Sequence, residues 1–412
     1  MKRYVFVLGS LFFAAILWGN DSYSKTSALF GLDPNAGTNS FLTLLIPGGG
    51  KYEGMATAHT AVALDGGYME ANPAAGSYIP RTMISLAHVD WISNSALENL
   101  TFTFRPESLE DMGIGFNLKY LHVPFAAYNE WGSQYERYGG TASGWYSELI
   151  ATSSISYNFL RSFYFGGLSI GASLKAGYRG VSAALEPGQN AISLMGDVGL
   201  MTQFNFLKPY AARDMNFSIG ASIKNLGAEF IKNPDPLPTH ASFGLAYKPL
   251  RPLTIAVDFN VPFNLDGSPA QGVSVATGLN ADITSFLSAH TGVLIKTGKP
   301  RFTIGTDVVL KKMTISANYT LDLASQLELF DRMSVSIKID LDTVRQLLIK
   351  DDVQALYLEG LEFYASGKVV EAITTFENCL ALDPSYKPAR EMLQTAQETL
   401  LHGETLRDAL IE

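Results

Sequence analysis

The chain has 412 residues, a formal net charge of −9 at pH 7 and a single cysteine, Cys379. Nucleic-acid binding needs a basic surface, so this charge argues against a nucleic-acid partner. One cysteine excludes an internal disulfide framework and a multi-cysteine metal site. The chain is 47% hydrophobic but only 17% charged, and it contains 37 Gly, 24 Phe and 19 Tyr. Soluble globular chains are roughly 25% charged, so this composition disfavours a soluble enzyme.

Residues 1–24 are predicted to form a secretory signal peptide. Lys2 and Arg3 precede an apolar stretch, residues 4–18, that is shorter than the roughly 20 residues of a membrane-spanning helix. Ser22 and Ser24 place small residues at a cleavage site. An uncleaved anchor is the alternative. A second stretch of about 18 apolar residues does not occur, so the mature chain is predicted to be exported and not to be a helical membrane protein.

Residues 25–80 lack strand periodicity and are predicted to form a separate N-terminal segment. A glycine-rich run, residues 47–55, leads into the small residues 56–64, for which we predict a short helix. A phosphate-binding loop would need Ser or Thr directly after Lys51, and Tyr52 stands there instead, so this motif is excluded. A glycine-rich segment suits a confined lumen, where backbones approach each other closely.

Residues 81–341 alternate with period two, which is typical of β-strands. In the last segment Met333, Val335, Ile337 and Ile339 alternate with Ser334, Ser336, Lys338 and Asp340. An apolar face about ten residues long opposite a polar face matches a strand between lipid and a polar lumen. Such segments cover residues 83–92, 98–105, 112–123, 147–159, 163–179, 191–206, 214–227, 239–248, 252–261, 271–281, 286–297, 300–310, 312–323 and 331–341. The sequence therefore predicts a mainly β fold, a 14-stranded antiparallel transmembrane β-barrel.

The connections between these segments alternate in length. Those after even-numbered strands include short turns, such as residues 160–162 and 249–251, whereas residues 124–146 form a long loop after the third strand. We therefore expect the long loops to be extracellular and the short turns periplasmic, as in bacterial barrels. An exported soluble β-sandwich is the alternative, but it would not explain this alternation.

After Leu341 the hydrophobic period becomes helical, and residues 342–412 are predicted to form a small all-α domain in the periplasm. Residues 353–386 match the spacing of one tetratricopeptide repeat (TPR), with Gly360 and Phe376 where two helices would meet, and residues 386–401 would be a capping helix. Cys379 is expected in the helical core. An unrelated helical hairpin is the alternative. Because such repeats normally need about three copies to be stable, this domain is expected to lean on the barrel rim, another copy or a periplasmic protein partner.

Several N-terminal motifs resemble one family of outer-membrane barrels. Phe41-Leu42, Gly54-Met55 and Asn72-Pro73-Ala74, followed by His88 and Trp91, are similar to the signature of the FadL/PorV group. An ordinary Asn-Pro turn is the alternative for the Asn72-Pro73-Ala74 motif. The resemblance implies fourteen strands, an N-terminal hatch in the lumen at residues 25–80, and passive uptake of long-chain fatty acids or other hydrophobic molecules. A PorV-like adaptor in protein secretion or docking is the alternative function.

Two sets of residues are candidates for ligand binding. The alternation points five cations into the lumen, where they would hold an anionic ligand: Lys119, Lys175, Arg179, Lys224 and Lys296. The alternative is that these cations pair with the inward-facing Asp258, Asp307 and Asp322. The long loop carries aromatic residues that would capture an apolar ligand outside the cell, or that sit in an interfacial aromatic girdle: Phe125, Tyr128, Trp131 and Tyr135.

The sequence shows no catalytic or metal motif. The six histidines lie in different segments without the pair spacing of metal ligands, and a Gly-x-Ser-x-Gly motif does not occur. The protein is therefore predicted not to be an enzyme and to bind no cofactor and no metal. Its expected location is the outer membrane, with a hydrophobic small molecule or lipid as its partner.

Overall fold

A computed structural model describes residues 39–91, 95–106, 109, 111–126, 136–137, 140–141, 143–162, 165–183, 188–210, 214–231, 234–296, 299–310, 313–322, 331–382 and 386–409. The chain divides into two compact units, and the second begins at Asp340. The predicted signal peptide, residues 1–24, lies outside the described residues.

The first unit is a closed antiparallel barrel of fourteen strands, as the sequence predicts. Each strand pairs with its neighbours in chain order, and β1 lies next to β14. The strands are β1 (Met83–Asp90), β2 (Ala96–Phe104), β3 (Met112–Ala126), β4 (Ser143–Phe159), β5 (Phe165–Val181), β6 (Ala191–Phe204), β7 (Phe217–Phe230), β8 (His240–Leu250), β9 (Leu253–Pro262), β10 (Ser274–Asp282), β11 (Leu287–Lys296), β12 (Lys299–Val309), β13 (Met313–Asp322) and β14 (Arg332–Asp340). Their bounds differ from the predicted ones by no more than four residues. A separate two-stranded hairpin pairs Glu136–Arg137 with Gly140–Thr141 between β3 and β4.

The two faces of the barrel wall differ in polarity. Large apolar side chains on the outer face are exposed, for example Leu174 at 60% and Ile304 at 65%. On the inner face of β14, Ser334 and Ser336 are buried, while Met333 and Val335 point outward. An exterior this apolar is unfavourable in water and favourable in lipid, whereas the polar inner face requires polar neighbours.

Residues 39–79, which we call the plug, lie inside the barrel. The plug contains η1 (Leu42–Leu45), α1 (Gly50–Gly54), α2 (Tyr68–Ala71) and η2 (Pro73–Tyr78), where η denotes a 3₁₀-helix. It contacts every one of the fourteen strands. The wall residues in contact with it, one from each strand in order, are Ala87, Asn99, Gly115, Glu148, Gly171, Gly199, Gly220, Gly244, Asp258, Gly278, Gly292, Asp307, Asn318 and Arg332.

The helix predicted for residues 56–64 is wrong. The helical residues lie earlier, in α1, and the chain leaves the helical conformation at Ala56 and Thr57, whose φ angles are 51° and 69°. The backbone N–H groups of His59 and Thr60 then donate to the Asp258 carboxylate on β9 instead of to helical carbonyls. A wall side chain thus replaces the hydrogen bonds that a helix would have made.

The plug runs along the barrel from one end to the other. We call the end of the barrel where β1 and β3 finish the loop end. Residues 39–46 lie there, since Asn39 and Ser40 bond to the β7–β8 connection. We call the opposite end, where β14 finishes, the tail end. Residues 72–79 lie there, since the Ser77 carbonyl accepts a hydrogen bond from Arg161 of the β4–β5 connection. The plug therefore fills the lumen along its length.

The second unit contains three helices, α3 (Leu341–Ala365), α4 (Val369–Leu382) and α5 (Lys387–Ala409). Phe376 and Cys379 are fully buried in its core, and a side chain at Gly360 would lie 2.5 Å from the Phe376 ring. Gly360 therefore allows α3 and α4 to approach, as the repeat spacing predicts. Whether this unit is a TPR stays a prediction. Among the described residues, none of the helices has the length and apolar character needed to span a membrane.

Candidate lumen site

Inward-facing glycines form a belt where the plug backbone runs against the wall. Three cross-strand pairs consist of two glycines: Gly171 with Gly199, Gly220 with Gly244 and Gly278 with Gly292. A Cβ at Gly171 would lie 2.4 Å from the Ala74 nitrogen, one at Gly220 would lie 2.1 Å from the Thr60 oxygen, and one at Gly278 would lie 2.7 Å from the Met55 oxygen. Backbone atoms cannot rotate away as a side chain can. Only glycine therefore leaves room for the plug at these positions.

The sequence contained a signal for this belt, which our prediction did not use. Glycine weakens a strand interior, so inward-facing glycines on several strands of one barrel need a reason. One such reason is that a strand glycine lets a second backbone approach closely. The cross-strand pairing itself depends on register, which single segments do not show.

The Asn72-Pro73-Ala74 motif joins the plug to the wall. Asn72 is fully buried, and its amide nitrogen donates to the carbonyls of Thr60, at 2.8 Å, and of Leu200 on β6, at 3.0 Å. Its amide oxygen accepts from the Ala74 N–H at 3.0 Å and caps η2. Asn72 therefore ties two plug segments and one strand together.

One plug residue, Glu70, is bound by two predicted cations from different strands of the barrel. Lys119 on β3 is buried, and its ammonium group lies 2.6 Å from the Glu70 carboxylate and 3.1 Å from the Thr43 carbonyl. It also donates to the Ile46 carbonyl. Lys224 on β7 donates to the backbone carbonyl of Glu70 at 3.0 Å. Both lysines thus bind the plug, and Glu70 is the residue that they share.

A β-bulge aims two adjacent residues of β7 into the lumen. Asn225 has a φ of 59°, the β6–β7 register shifts beside it, and both Lys224 and Asn225 are buried. The Asn225 oxygen accepts from Lys175 on β5 at 2.8 Å, and its backbone N–H donates to Asp197 on β6 at 2.8 Å. Lys175 also pairs with Asp197 at 2.8 Å. Bulges are common next to functional sites because they redirect side chains.

The other two predicted cations bind at the loop end. Arg179 pairs with Glu229 at 2.6 Å and lies over the Phe41 ring, 5.8 Å from its centroid. Lys296 donates to the side-chain oxygen of Gln271. All five cations therefore reach polar or charged groups in the lumen, and whether any of them holds a ligand stays a prediction.

The three predicted acid partners have specific contacts of their own. Asp258 accepts the N–H groups of His59 and Thr60 in the plug, and Asp322 pairs with Arg301 at 3.1 Å. Asp307 pairs with Lys51 of the plug at 3.5 Å. The partner of Asp307 is thus Lys51, a plug residue that the alternation of the strands could not reveal.

The predicted capture residues fall largely outside the described part of the chain. Tyr128, Trp131 and Tyr135 lie outside it, and Phe125 belongs to β3, with no side chain described. Among the described residues, no cluster of three or more His, Cys, Asp or Glu side chains is arranged to hold a metal ion.

Burial controls the protonation of the plug. The His59 ring is fully buried, and this burial lowers the pKa of His59 to about 4, so the ring is neutral at neutral pH. Burial likewise raises the pKa of Tyr68 to about 12. Burial around His59 and Tyr68 therefore disfavours the charged form of both side chains.

Comparison with known proteins places this barrel among related folds. Two UPF0164 proteins of Treponema pallidum (strain Nichols) are 26% and 23% identical over 380 and 401 residues, which cover 90% and 89% of this chain and 85% and 77% of the relatives. The crystal structure of the Ralstonia pickettii toluene transporter TbuX is similar with a TM-score of 0.50 and 12% identity, over 71% of this chain and 98% of TbuX. This likeness shows a shared barrel fold.

The family model described as "Uncharacterised protein family (UPF0164)" matches residues 25–344. This match spans the plug and all fourteen strands, and it shows that the chain belongs to the UPF0164 family.

Proposed function

We propose that this protein is an outer-membrane channel for the passive uptake of hydrophobic molecules, with long-chain fatty acids as the candidate class. The proposal rests on the way the lumen is filled, by a separate plug and not by side chains of the wall. A barrel that serves only as a scaffold can fill its interior with its own side chains. Here the wall instead turns glycines such as Gly171, Gly220 and Gly278 inward, and a separate segment takes the space. A lumen filled by a separable segment has room for another molecule once that segment moves.

The wall around Lys119 supports an amphipathic, anionic ligand. Lys119 lies directly across from Ile150 in the β3–β4 register, and Leu121 is the next inward residue on β3. Ile150 belongs to an apolar cluster with Met195, and Leu121 belongs to another with Leu97. An ammonium group flanked by two apolar surfaces suits a carboxylate with a hydrocarbon chain. Glu70 supplies the carboxylate when the plug is in place.

Transport into liposomes tests the proposal. Purified protein is reconstituted, and entry of a fluorescent long-chain fatty acid is compared with entry of toluene, the molecule that TbuX is named for. Lys224 is a second buried lumen cation, and it reaches Glu70 through the backbone carbonyl, so its replacement keeps the Lys119–Glu70 ion pair. We expect Lys224→Gln to slow fatty-acid entry while leaving toluene entry unchanged, because only the fatty acid carries a charge. Lys208→Gln, in the exposed β6–β7 connection, is the matched control. Entry of both probes at the rate of empty liposomes would contradict the channel.

The helical unit favours a second candidate, a PorV-like adaptor that docks exported proteins. This unit has its own apolar core around Phe376 and Cys379 and forms a compact unit separate from the barrel. Passive conduction through the lumen does not use such a unit, whereas a helical unit with its own core can present a surface to a protein partner. Purification of the tagged full-length protein with a stoichiometric protein partner that is lost on deletion of residues 342–412 would favour this function. The periplasmic location of that unit is part of the same proposal.

A further inference from the structure

The contacts between plug and wall change in character along the plug. Residues 39–71 are held largely through charge. Lys51 pairs with Asp307 at 3.5 Å, Glu53 with Arg332 at 2.6 Å and Glu70 with Lys119 at 2.6 Å. These groups are nearly or fully buried, so each pair is weakly screened and each partner is costly to leave alone.

Two wall carboxylates add to this charged part. Asp258 accepts the backbone N–H groups of His59 and Thr60 at 2.9 and 2.8 Å. Glu148 accepts those of Leu42 and Thr43 at 3.1 and 2.8 Å. Carboxylates that accept backbone N–H groups form charge-assisted bonds, which are stronger than neutral ones. Residues 39–71 therefore contact charged groups at both ends and in the middle.

Residues 72–79 are held without any charged side chain of their own. Their sequence is Asn-Pro-Ala-Ala-Gly-Ser-Tyr-Ile. Ser77 bonds to Ser169 on β5 at 2.8 Å between hydroxyl oxygens, and Tyr78 donates to the Gly167 carbonyl at 3.0 Å. The backbone around Ala74 and Gly76 lies directly on wall glycines. Two wall cations also donate to its backbone, Arg161 to the Ser77 carbonyl at 3.2 Å and Arg105 to the Ile79 carbonyl at 2.9 Å. This part therefore forms no ion pair through a side chain of its own, and it is held by its fit to the wall and by hydrogen bonds to its hydroxyl and carbonyl groups.

Backbone strain follows the same division. Among the described plug residues, the non-glycine residues with positive φ are Phe41 at 53°, Ala56 at 51° and Thr57 at 69°, all in residues 39–71. Such conformations are unfavourable for residues with a Cβ and persist only where the surroundings impose them. Release from the wall would relieve this strain, which favours movement of this part.

We propose that the plug consists of two parts, a fixed anchor at residues 72–79 and a gate at residues 39–71 that opens about Asn72 when its ion pairs are lost. Asn72 suits the hinge because its extended backbone separates α2 from η2 and its side chain holds Leu200 on the wall. The gate would leave the lumen while the anchor stays, so opening does not require the whole plug to unfold.

Hydrogen–deuterium exchange of the full-length protein in detergent tests this division, independently of which molecule the barrel transports. Glu53→Gln with Glu70→Gln removes two gate carboxylates and leaves Arg332 and Lys119 without them. We expect exchange in residues 39–71 to become about tenfold faster or more, and exchange in residues 72–79 to stay unchanged. Glu98→Gln is the matched control, because Glu98 pairs with His88 on the outer face at 2.6 Å.

Equal acceleration of both parts, or acceleration of neither, would overturn the proposal. Folding of each variant is checked by its heat-modifiable migration, and the single Glu70→Gln variant replaces the double one if the latter does not fold. A second measurement uses conductance across a planar bilayer. We expect the Glu53→Gln, Glu70→Gln variant to conduct more than the unsubstituted protein, because its gate opens more often. Ser77→Cys with Ser169→Cys permits a disulfide that fixes the anchor, and we expect its oxidation to leave this added conductance intact. Loss of that conductance on oxidation would show that the anchor moves too.

Discussion

Replacement of Gly220 by alanine should displace the plug from the wall. The new methyl group would lie 2.1 Å from the Thr60 oxygen and 2.7 Å from the Thr60 carbonyl carbon. These atoms belong to a backbone that Asp258 holds through the Thr60 N–H at 2.8 Å. The methyl group therefore cannot be accommodated by rotation of a side chain, and the plug segment must move by roughly 1 Å to reach ordinary contact distances.

The expected cost follows from this geometry. Overpacking of a tightly filled interior costs about 1–3 kcal/mol, and displacement of Thr60 also weakens its bond to Asp258. A cost of about 1–3 kcal/mol corresponds to a change of about 5- to 150-fold in the equilibrium between docked and undocked plug. Gly196→Ala is the matched control, because the nearest atom to its Cβ, the Ser173 oxygen, would be at an ordinary 3.5 Å.

Thiol labelling measures this equilibrium. Val62 is buried beside Thr60, and Val62→Cys in a Cys379→Ala background provides a reporter of nearly the same size. We expect Gly220→Ala to raise the labelling rate about 5- to 150-fold and Gly196→Ala to leave it within about twofold. An unchanged rate in the Gly220 variant, or the same increase in both variants, would refute the account of the glycine belt.

Three further predictions concern the plug and the topology. Asn72→Ala removes three hydrogen bonds and should destabilise the docked plug by about 3 kcal/mol, measured by hydrogen exchange. Burial lowers the pKa of His59 from its ordinary 6.5 to about 4, so the contribution of His59 to docking is fully present above pH 6.5 and is lost as the pH falls toward 4. His59→Gln should therefore reduce the loss of docking between pH 6.5 and 4, measured by hydrogen exchange over that range. Protease added to intact cells should cleave the β3–β4 connection, residues 127–142, and spare residues 342–412. Cleavage of residues 342–412 behind a sealed outer membrane would contradict the periplasmic assignment.

The strand pattern was predictable because each strand faces two different environments. Side chains that face lipid are apolar and those that face the lumen are polar, so they alternate along each strand. Counting the alternating segments therefore gave the fourteen strands of the barrel. The bounds failed where that contrast fades. β4 begins at Ser143, four residues earlier than predicted, in a stretch where Trp145 and Tyr146 give both faces an aromatic residue. At such positions the pattern no longer distinguishes strand from loop.

The partners in the lumen were not predictable, because they depend on contacts between residues far apart in the chain. Glu53 pairs with Arg332 across 279 positions, and Asp258 binds Thr60 across 198. Alternation correctly pointed Lys119 and Lys224 inward, yet only the folded chain shows that both bind Glu70. The helix wrongly predicted for residues 56–64 failed for the same reason, since the N–H groups of His59 and Thr60 in its middle bond to the distant Asp258 carboxylate.

A ligand bound at Lys119, as proposed above, would compete with the plug for the same part of the wall. Lys119 is bound by Glu70 of the plug, and the apolar residues on either side of it, Ile150 and Leu121, pack against plug residues Phe41 and Ile46. A fatty acid that bound this region would have to replace a carboxylate with a carboxylate and apolar contacts with apolar contacts. The ligand would then replace each kind of contact that the wall loses when the plug leaves, which lowers the cost of opening. A wall that bound the ligand much more tightly than the plug would trap it, and one that bound it much more weakly would never open.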